Sequence, residues 1–458
     1  MTDHNLLLLT DSYKVSHYKQ YPPGTQQIYS YFESRGGAFE EVVFFGLQYL
    51  LKEYLAGAVV TKEKIDEAEN IYAQHFGNRS LFNRAGWEYI LNEHDGRLPV
   101  RIKAVPEGLA VPYYNAVMTI ENTDPKCFWL TNILETLLVQ VWYGSTVATQ
   151  SREIKKMILS CLKATGDEAG INFKLHDFGF RGVSSVESAA IGGAAHLVNF
   201  MGSDTVAALT FIQKFYNTTE MFGFSIPAAE HSTITSWGKA HEADAYRNML
   251  MQYPEGTLAV VSDSYNIYNA CEHLWGEALR GEVLARNGTL VIRPDSGDPK
   301  DVVLKVVEIL GEKFGCETNA KGFKVLSPKV RVIQGDGVEY NSIQSILGNL
   351  RVNGWSADNV AFGMGGGLLQ KLNRDTQKFA FKCSAAVVNG EEREVFKDPI
   401  TDTGKTSKRG RLKLVKNGAG YKTVSAEESR EDVLQTVFEN GEVVKEYAFD
   451  EVKKNANL

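Results

Sequence analysis

The sequence predicts an α/β protein: an irregular (β/α) barrel joined to a discontinuous α+β domain. Three observations predict it. A chain of 458 residues exceeds one ordinary core, so two domains are expected. Between about residues 173 and 367, short apolar runs repeatedly end in polar residues or glycine and lead into helix-like stretches. The two ends of the chain lack that rhythm and mix isolated strands with hairpin signals.

The rhythm can be followed run by run. Phe173-Lys174-Leu175-His176 runs into Asp177, and a run near Asn199 leads to Asp204. Phe224-Ser225-Ile226 leads through Pro227 to Glu230-His231, and Leu258-Ala259-Val260-Val261 leads to Asp263. Leu290-Val291-Ile292 leads to Arg293-Pro294-Asp295, and Val330-Arg331-Val332-Ile333 leads to Gly335-Asp336. Asn359-Val360-Ala361-Phe362 leads to Gly363-Met364-Gly365-Gly366-Gly367. From Asp177 to Gly365 these landmarks are 27, 27, 32, 32, 41 and 29 residues apart. A βα unit of a barrel takes roughly 30 residues. An open doubly wound sheet would gather its polar residues at one switch point. Here almost every unit carries one, which favours a barrel, incomplete or irregular.

The flanks complete the division. Residues 42–55 suit a helix, 100–105 and 116–120 read as strands, 132–142 is an apolar helical stretch, and 151–164 is an amphipathic helix. From about Phe381 the chain is strand-rich, with hairpin turns at Asn389-Gly390 and Asn440-Gly441. That stretch lacks a core of its own and is expected to pack with the N-terminal segment. The expected boundaries are 1–150, 151–380 and 381–458.

Composition narrows the function classes. Hydrophobic residues are 43% and charged residues 23%, a globular balance. The net charge of −7 offers no basic surface for nucleic acid, so a phosphate site must concentrate a few cations locally. Five scattered cysteines without CxxC pairs argue against a disulfide framework or a zinc site. Leu6-Leu7-Leu8-Leu9 is too short for a signal-peptide core, and no window reaches the apolar length of a membrane span. A cytoplasmic enzyme is expected.

The strand-end residues suggest phosphate chemistry. The run 363–367 sits between a strand and a helix-like stretch, where backbone N–H groups can approach a phosphate closely; alone, it would also read as a tight turn. Asp336 between Gly335 and Gly337 either caps a turn or accepts ribose hydroxyls. Arg293 and Asp295 form either a structural salt bridge or a cation–carboxylate pair of a site. His231 opens a helix-like run, and Glu230 and Asp263 could orient its ring, an arrangement that suits a histidine accepting a phosphoryl group. Phe178 could stack on a flat heterocycle, Arg181 could bind phosphate bidentately, and Asp204 would lie one strand away, facing the edge of a stacked ring.

At these residues the sequence resembles the nicotinamide phosphoribosyltransferases. The likeness spans nearly the whole chain, through Thr10-Asp11-Ser12-Tyr13-Lys14, 175–185, 228–235, Ser262-Asp263-Ser264-Tyr265, 292–297, 333–337 and 365–371. It implies the barrel of type II phosphoribosyltransferases. It also implies transfer of phosphoribosyl from 5-phosphoribosyl 1-pyrophosphate to nicotinamide, giving nicotinamide mononucleotide and pyrophosphate. By the same resemblance, Phe178 and Tyr13 of a second subunit sandwich the pyridine ring, Asp204 accepts from the carboxamide nitrogen, and Arg293 lines that pocket. Asp11 belongs to the same substrate-binding set. Asp295, Gly335 and Asp336 hold the ribose; Gly365 and Gly366, with Arg374 and Lys382 across a homodimer interface, hold the 5′-phosphate. Arg181 serves the donor phosphates; Arg35, Lys397 and Lys405 face pyrophosphate or ATP. ATP phosphorylates His231, Asp263 stands among the catalytic residues, and Mg²⁺ accompanies the pyrophosphate, with no metal ligands assigned. One departure stands out: Ala259 occupies a position where the family often has a serine near the carboxamide oxygen.

Two rivals remain in view. For nicotinate phosphoribosyltransferase, Asp204 would face the acceptor's carboxylate, a repulsive contact. A non-catalytic binding protein on the same fold would have no need of His231, Asp263, Arg293 and Asp295.

Overall fold

The computed structural model describes residues 4–401 and 406–458. The chain divides into two compact units. One comprises residues up to Thr149, Ile212–Thr218 and Asn373–Asn457; the other comprises Gln150–Phe211 and Thr219–Leu372, with Leu458. The C-terminal segment therefore begins at Asn373, earlier than the boundary expected at 380. The cause is the strand Phe379–Val388, which pairs antiparallel with Thr25–Ser34. Among the described residues, no helix is long and apolar enough to cross a membrane.

The first unit is built on a seven-stranded antiparallel sheet made from both ends of the chain. Its order is Glu391–Glu394, Phe379–Val388, Thr25–Ser34, Ala116–Asn122, Val100–Ala104, Gln435–Glu439, Glu442–Val443. Both expected hairpins form. Asn389 and Gly390 have φ of 53° and 79°, and Asn440 and Gly441 have 50° and 85°, the left-handed pair that matches the twist of a tight hairpin. The stretch expected as one helix over 42–55 starts instead as the strand Glu41–Val43, whose Val43 N–H donates to Thr149, and becomes helical only at Leu47.

The second unit is the barrel. Its strands are β1 Leu175–Asp177, β2 Gly202–Ser203, β3 Glu255–Val261, β4 Asn287–Arg293, β5 Val330–Gln334 and β6 Val360–Met364. All pair in parallel, in the order β2-β1-β6-β5-β4-β3. Buried on both faces, they read as near-continuous apolar runs rather than alternating ones. One irregular segment bonds to both sheet edges. Ser203 N–H donates to Phe224 (3.0 Å) and Phe224 N–H to Met201 (2.7 Å) on one edge. Ala229 N–H donates to Ala259 (3.0 Å) and Ala259 N–H to Pro227 (3.0 Å) on the other. Pro227 has no N–H to give, so this segment bridges the edges without becoming a regular strand. The barrel thus has six strands and one bridging segment, and each of the seven sequence landmarks falls at one of these.

The covering helices are fixed by local signals. Asp298 caps Pro299–Phe314 by accepting from Lys300 N–H (3.0 Å), with proline at the first position, and Val302, Val303, Val306, Val307 and Leu310 form its buried stripe. Glu339 and Ser342 form a capping box on Tyr340–Val352, which buries Ile343, Ile346, Leu347 and Leu350. At the N-terminal end of the barrel, cations satisfy incoming carbonyls. Lys174 Nζ donates to Ala357, Asp358 and Val360, and Arg331 donates to Leu326, Ser327 and Val330. Burial lowers the Lys174 pKa to about 8.

Candidate active site

The opposite end, where the strands finish, gathers the polar residues. Phe178 follows β1 and donates its N–H to Met364 at the end of β6 (3.0 Å). Its ring caps an interior layer of Ala259, Val291, Ile333, Ile226 and Ala361. Gly363 makes room for it: a Cβ there would lie 1.9 Å from Phe178 Cε2. The turn Phe180–Gly182 carries Arg181, which is exposed, beside the glycine run; a Cβ on Gly182 would come within 3.2 Å of the Gly366 backbone. Ala259 is 5% exposed and belongs to the layer beneath Phe178, so this wall of the pocket is apolar.

Asp204 follows β2 and is exposed. Its N–H donates to the carbonyl of Asp177 (3.0 Å), the residue before Phe178, and its carboxylate accepts from the Ser225 hydroxyl. Asp177 itself is buried. Its Oδ1 accepts from Gly179 N–H (2.7 Å), its Oδ2 has no hydrogen-bond partner, and burial pushes its pKa up to about 6.

His231 is the first residue of the helix His231–Thr235, capped by a reciprocal Glu230–Thr233 box. Its Nε2 lies 2.9 Å from Asp263 Oδ1, and its Nδ1 lies 4.0 Å from Asp295 Oδ2. Asp263 is only 4% exposed in its side chain, whereas His231 is 45% exposed. The second oxygen of Asp263 accepts from Asp295 N–H (3.1 Å) and the Ser296 hydroxyl (2.5 Å). Arg293 Nε is buried without a hydrogen bond, 3.5 Å from Asp295 Oδ1. Burial raises the Asp295 pKa, opposed by Arg293 and His231 and reinforced by repulsion from Asp263 and Asp336. Gly335 closes the group: a Cβ there would stand 3.0 Å from Asp295 Oδ1 and 3.8 Å from the Phe178 ring. The exposed Asp336 follows it.

The barrel mouth therefore brings together Phe178, Arg181, Asp204, His231, Asp263, Arg293, Asp295, Gly335, Asp336, Gly365 and Gly366. The other predicted residues, Lys405 apart, lie in the first unit. Tyr13 is 59% exposed, and Asp11 accepts from Thr136 (2.7 Å). Arg35 binds Glu33 (2.8 Å), with one buried guanidinium nitrogen free of hydrogen bonds. Arg374, Lys382, Lys397 and Arg35 form one cationic group: burial lowers the Lys382 pKa, Glu135 opposes, and the other three cations lower it further. Lys405 lies outside the described residues. Ser225, Ser296 and Asp177 were not among the predicted site residues. Ser296 adjoins Asp295 and Ser225 lies within the barrel's bridging segment, but a serine carries no pattern of its own.

Among the described residues, His94, Asp124 and Cys127 of the first unit have metal-ligand spacing. Asp124 Oδ2 accepts from Tyr89 (2.9 Å) and meets His94 Nε2 (2.8 Å), and burial pushes the Cys127 thiol up to about 12.

A parallel barrel whose one mouth combines a glycine turn, arginines, carboxylates and a histidine defines a binding site for phosphorylated ligands. Residues 173–442 match the Nicotinate phosphoribosyltransferase (NAPRTase) family, and residues 5–102 match the Nicotinamide phosphoribosyltransferase, N-terminal domain. The chain is 53% identical to a nicotinamide phosphoribosyltransferase of Xanthomonas campestris, covering 99% of this chain and 98% of that one. It is 32% identical to one of Acinetobacter baylyi, covering 98% and 96%. The chain belongs to the nicotinate and nicotinamide phosphoribosyltransferase family. Two solved structures share its fold: a nicotinate-nucleotide pyrophosphorylase from Pyrococcus furiosus (TM-score 0.63, 16% identity, 99% and 95% covered) and human Nicotinic Acid Phosphoribosyltransferase (0.57, 14%, 98% and 93%).

Proposed function

We propose that this chain transfers phosphoribosyl from 5-phosphoribosyl 1-pyrophosphate to nicotinamide for NAD salvage, with ATP coupled through phosphorylation of His231. The observation that carries the choice of acceptor is Asp204, an exposed carboxylate tied by its backbone to the residue before Phe178. A carboxylate there accepts from an amide NH₂ and repels a second carboxylate. Phe178 stacks on the pyridine ring, and Tyr13 of a second subunit covers the other face. With Ala259 beneath the ring, Arg293 is the donor left for the carboxamide oxygen.

Loss of pyrophosphate develops positive charge on the ribose and negative charge on the leaving group. Asp295 and Asp336, with Gly335, hold the ribose and favour the first. Arg181 favours the second, Arg35, Lys397 and Lys405 face the pyrophosphate or ATP, and Gly365 and Gly366 hold the 5′-phosphate together with Arg374 and Lys382 of a second subunit. Asp11 lies in the same substrate-binding set. The pyridine nitrogen has no proton to lose, so no base is needed beside Phe178. Mg²⁺, a hard cation that would neutralise charge on the diphosphate oxygens, accompanies the pyrophosphate. The two-subunit site makes the enzyme a homodimer, in a cytoplasmic setting.

His231 has one nitrogen committed and one open. Nε2 faces the Asp263 carboxylate, so Nδ1 is the nucleophile for the γ-phosphorus of ATP. The phosphorylated ring then strengthens capture of the donor and couples hydrolysis to synthesis. Incubation with nicotinamide, phosphoribosyl pyrophosphate, Mg²⁺ and ATP tests the reading. It predicts nicotinamide mononucleotide and pyrophosphate in equal amounts; consumption of ATP with no mononucleotide would contradict it.

A further inference from the structure

We propose that Ser296 is a positioning residue that keeps the His231 proton on Nε2 and so leaves Nδ1 open. This rests on the reading of His231 as phosphoryl acceptor. Asp263 divides its two oxygens: Oδ1 faces His231 Nε2 at 2.9 Å, and Oδ2 takes Asp295 N–H at 3.1 Å and the Ser296 hydroxyl at 2.5 Å. An ionised carboxylate only accepts, so the nitrogen opposite it must carry the proton.

Two donors on Oδ2 have two consequences. They stop the carboxylate turning about its own axis, which would release the imidazole. They also stabilise its negative charge, so that it does not draw the Nε2 proton away. One of the donors is backbone and survives any side-chain change. The other is Ser296, which is therefore the adjustable half of the clamp. In the phosphoryl step the Nδ1 lone pair attacks the γ-phosphorus, the bond from phosphorus to the β–γ bridging oxygen breaks, and ADP leaves with that electron pair. The Nε2 proton stays, so the phosphorylated ring is cationic and faces an anionic Asp263. The other charged groups around the ring are Asp295 at 4.0 Å from Nδ1, Arg293 and Asp336 beside Asp295, and Glu230, which caps the same helix and accepts from Ser232.

The test uses full-length protein labelled with ¹⁵N-histidine, with His231 assigned by its loss in His231→Ala. Two-bond proton–nitrogen spectra read which nitrogen carries the proton and the pH at which the ring titrates. The wild type is expected to hold the Nε2–H form. Ser296→Ala is expected to mix the two forms and to raise the titration midpoint by roughly half a pH unit or more, because a less stabilised carboxylate holds imidazolium more strongly. Ser296→Thr, which keeps the hydroxyl, is expected to restore both. A wild-type tautomer and midpoint in Ser296→Ala, or no restoration in Ser296→Thr, overturns the proposal. Labelling with γ-³²P-ATP separates the two readings: unlabelled wild-type His231 with the tautomer results intact removes the phosphohistidine and leaves the positioning role.

Discussion

The Phe178 ring occupies the space that a side chain at residue 363 would need, with Cε2 only 1.9 Å from where a Gly363 Cβ would stand. Gly363→Ala must therefore move the ring. The expected result is a rise in the nicotinamide KM of about tenfold, the ~1.4 kcal/mol scale of a lost aromatic stack, with a smaller change in kcat. Steady-state kinetics check it; an unchanged KM would remove Phe178 from the acceptor pocket.

Asp204 is expected to separate amide from acid. Asp204→Ser or Asp204→Asn should lower the ratio of kcat/KM for nicotinamide over nicotinate by roughly tenfold or more, as removal of one of two adjacent like charges in a partly screened site requires. Competition kinetics with both acceptors read the ratio, and no change in it would sink the assignment.

His231→Ala is expected to abolish ATP stimulation while slow ATP-independent synthesis continues, since the histidine serves coupling and not bond formation. Mononucleotide formation with and without ATP measures this. Full coupling in the variant would refute the phosphohistidine.

The buried Asp177 sets a pH dependence of stability. Its folded pKa, about 6, lies above the ordinary carboxyl value, so the folded state binds the proton more tightly than the unfolded state. Its contribution is complete below the unfolded pKa and is lost as the pH rises to about 6, a change on the order of 3 kcal/mol. Asp177→Asn should flatten the urea midpoint between about pH 4 and 6 relative to wild type. A variant with the wild-type slope in that window would show that another group governs it.

Lys174 is expected to matter for stability alone. Lys174→Met leaves three carbonyls without their donor and should cost about 2 kcal/mol, read as a fall in urea midpoint, with the amide-to-acid ratio retained. An unchanged midpoint would mean that water replaces the ammonium.

The barrel was legible because its parallel strands are buried on both faces and must end at polar turns, so Asp177, Asp263, Asp295 and Gly365 mark their own positions in the sequence. The segment around Pro227 was harder. It occupies a strand's place through four backbone hydrogen bonds, and hydrogen bonds at sheet edges leave no apolar period to read. The unit boundary near Asn373 was hidden for a related reason: it depends on Phe379–Val388 finding Thr25–Ser34, a pairing across the whole chain. Within the site, Phe178, His231 and Arg293 stood out by residue type, whereas Ser225 and Ser296 act only through the carboxylates they meet. Arg35, Arg374, Lys382 and Lys397 were named through the resemblance in two separate roles, and their gathering into one cationic group appears only in the structure, because nothing local links residues so far apart.

Initial rates with nicotinamide or nicotinate, each with and without ATP, read the acceptor and its coupling to ATP in one experiment. Nicotinamide is expected to be strongly preferred, with ATP stimulating its conversion; preference for nicotinate, or indifference to ATP, would refute the proposed function.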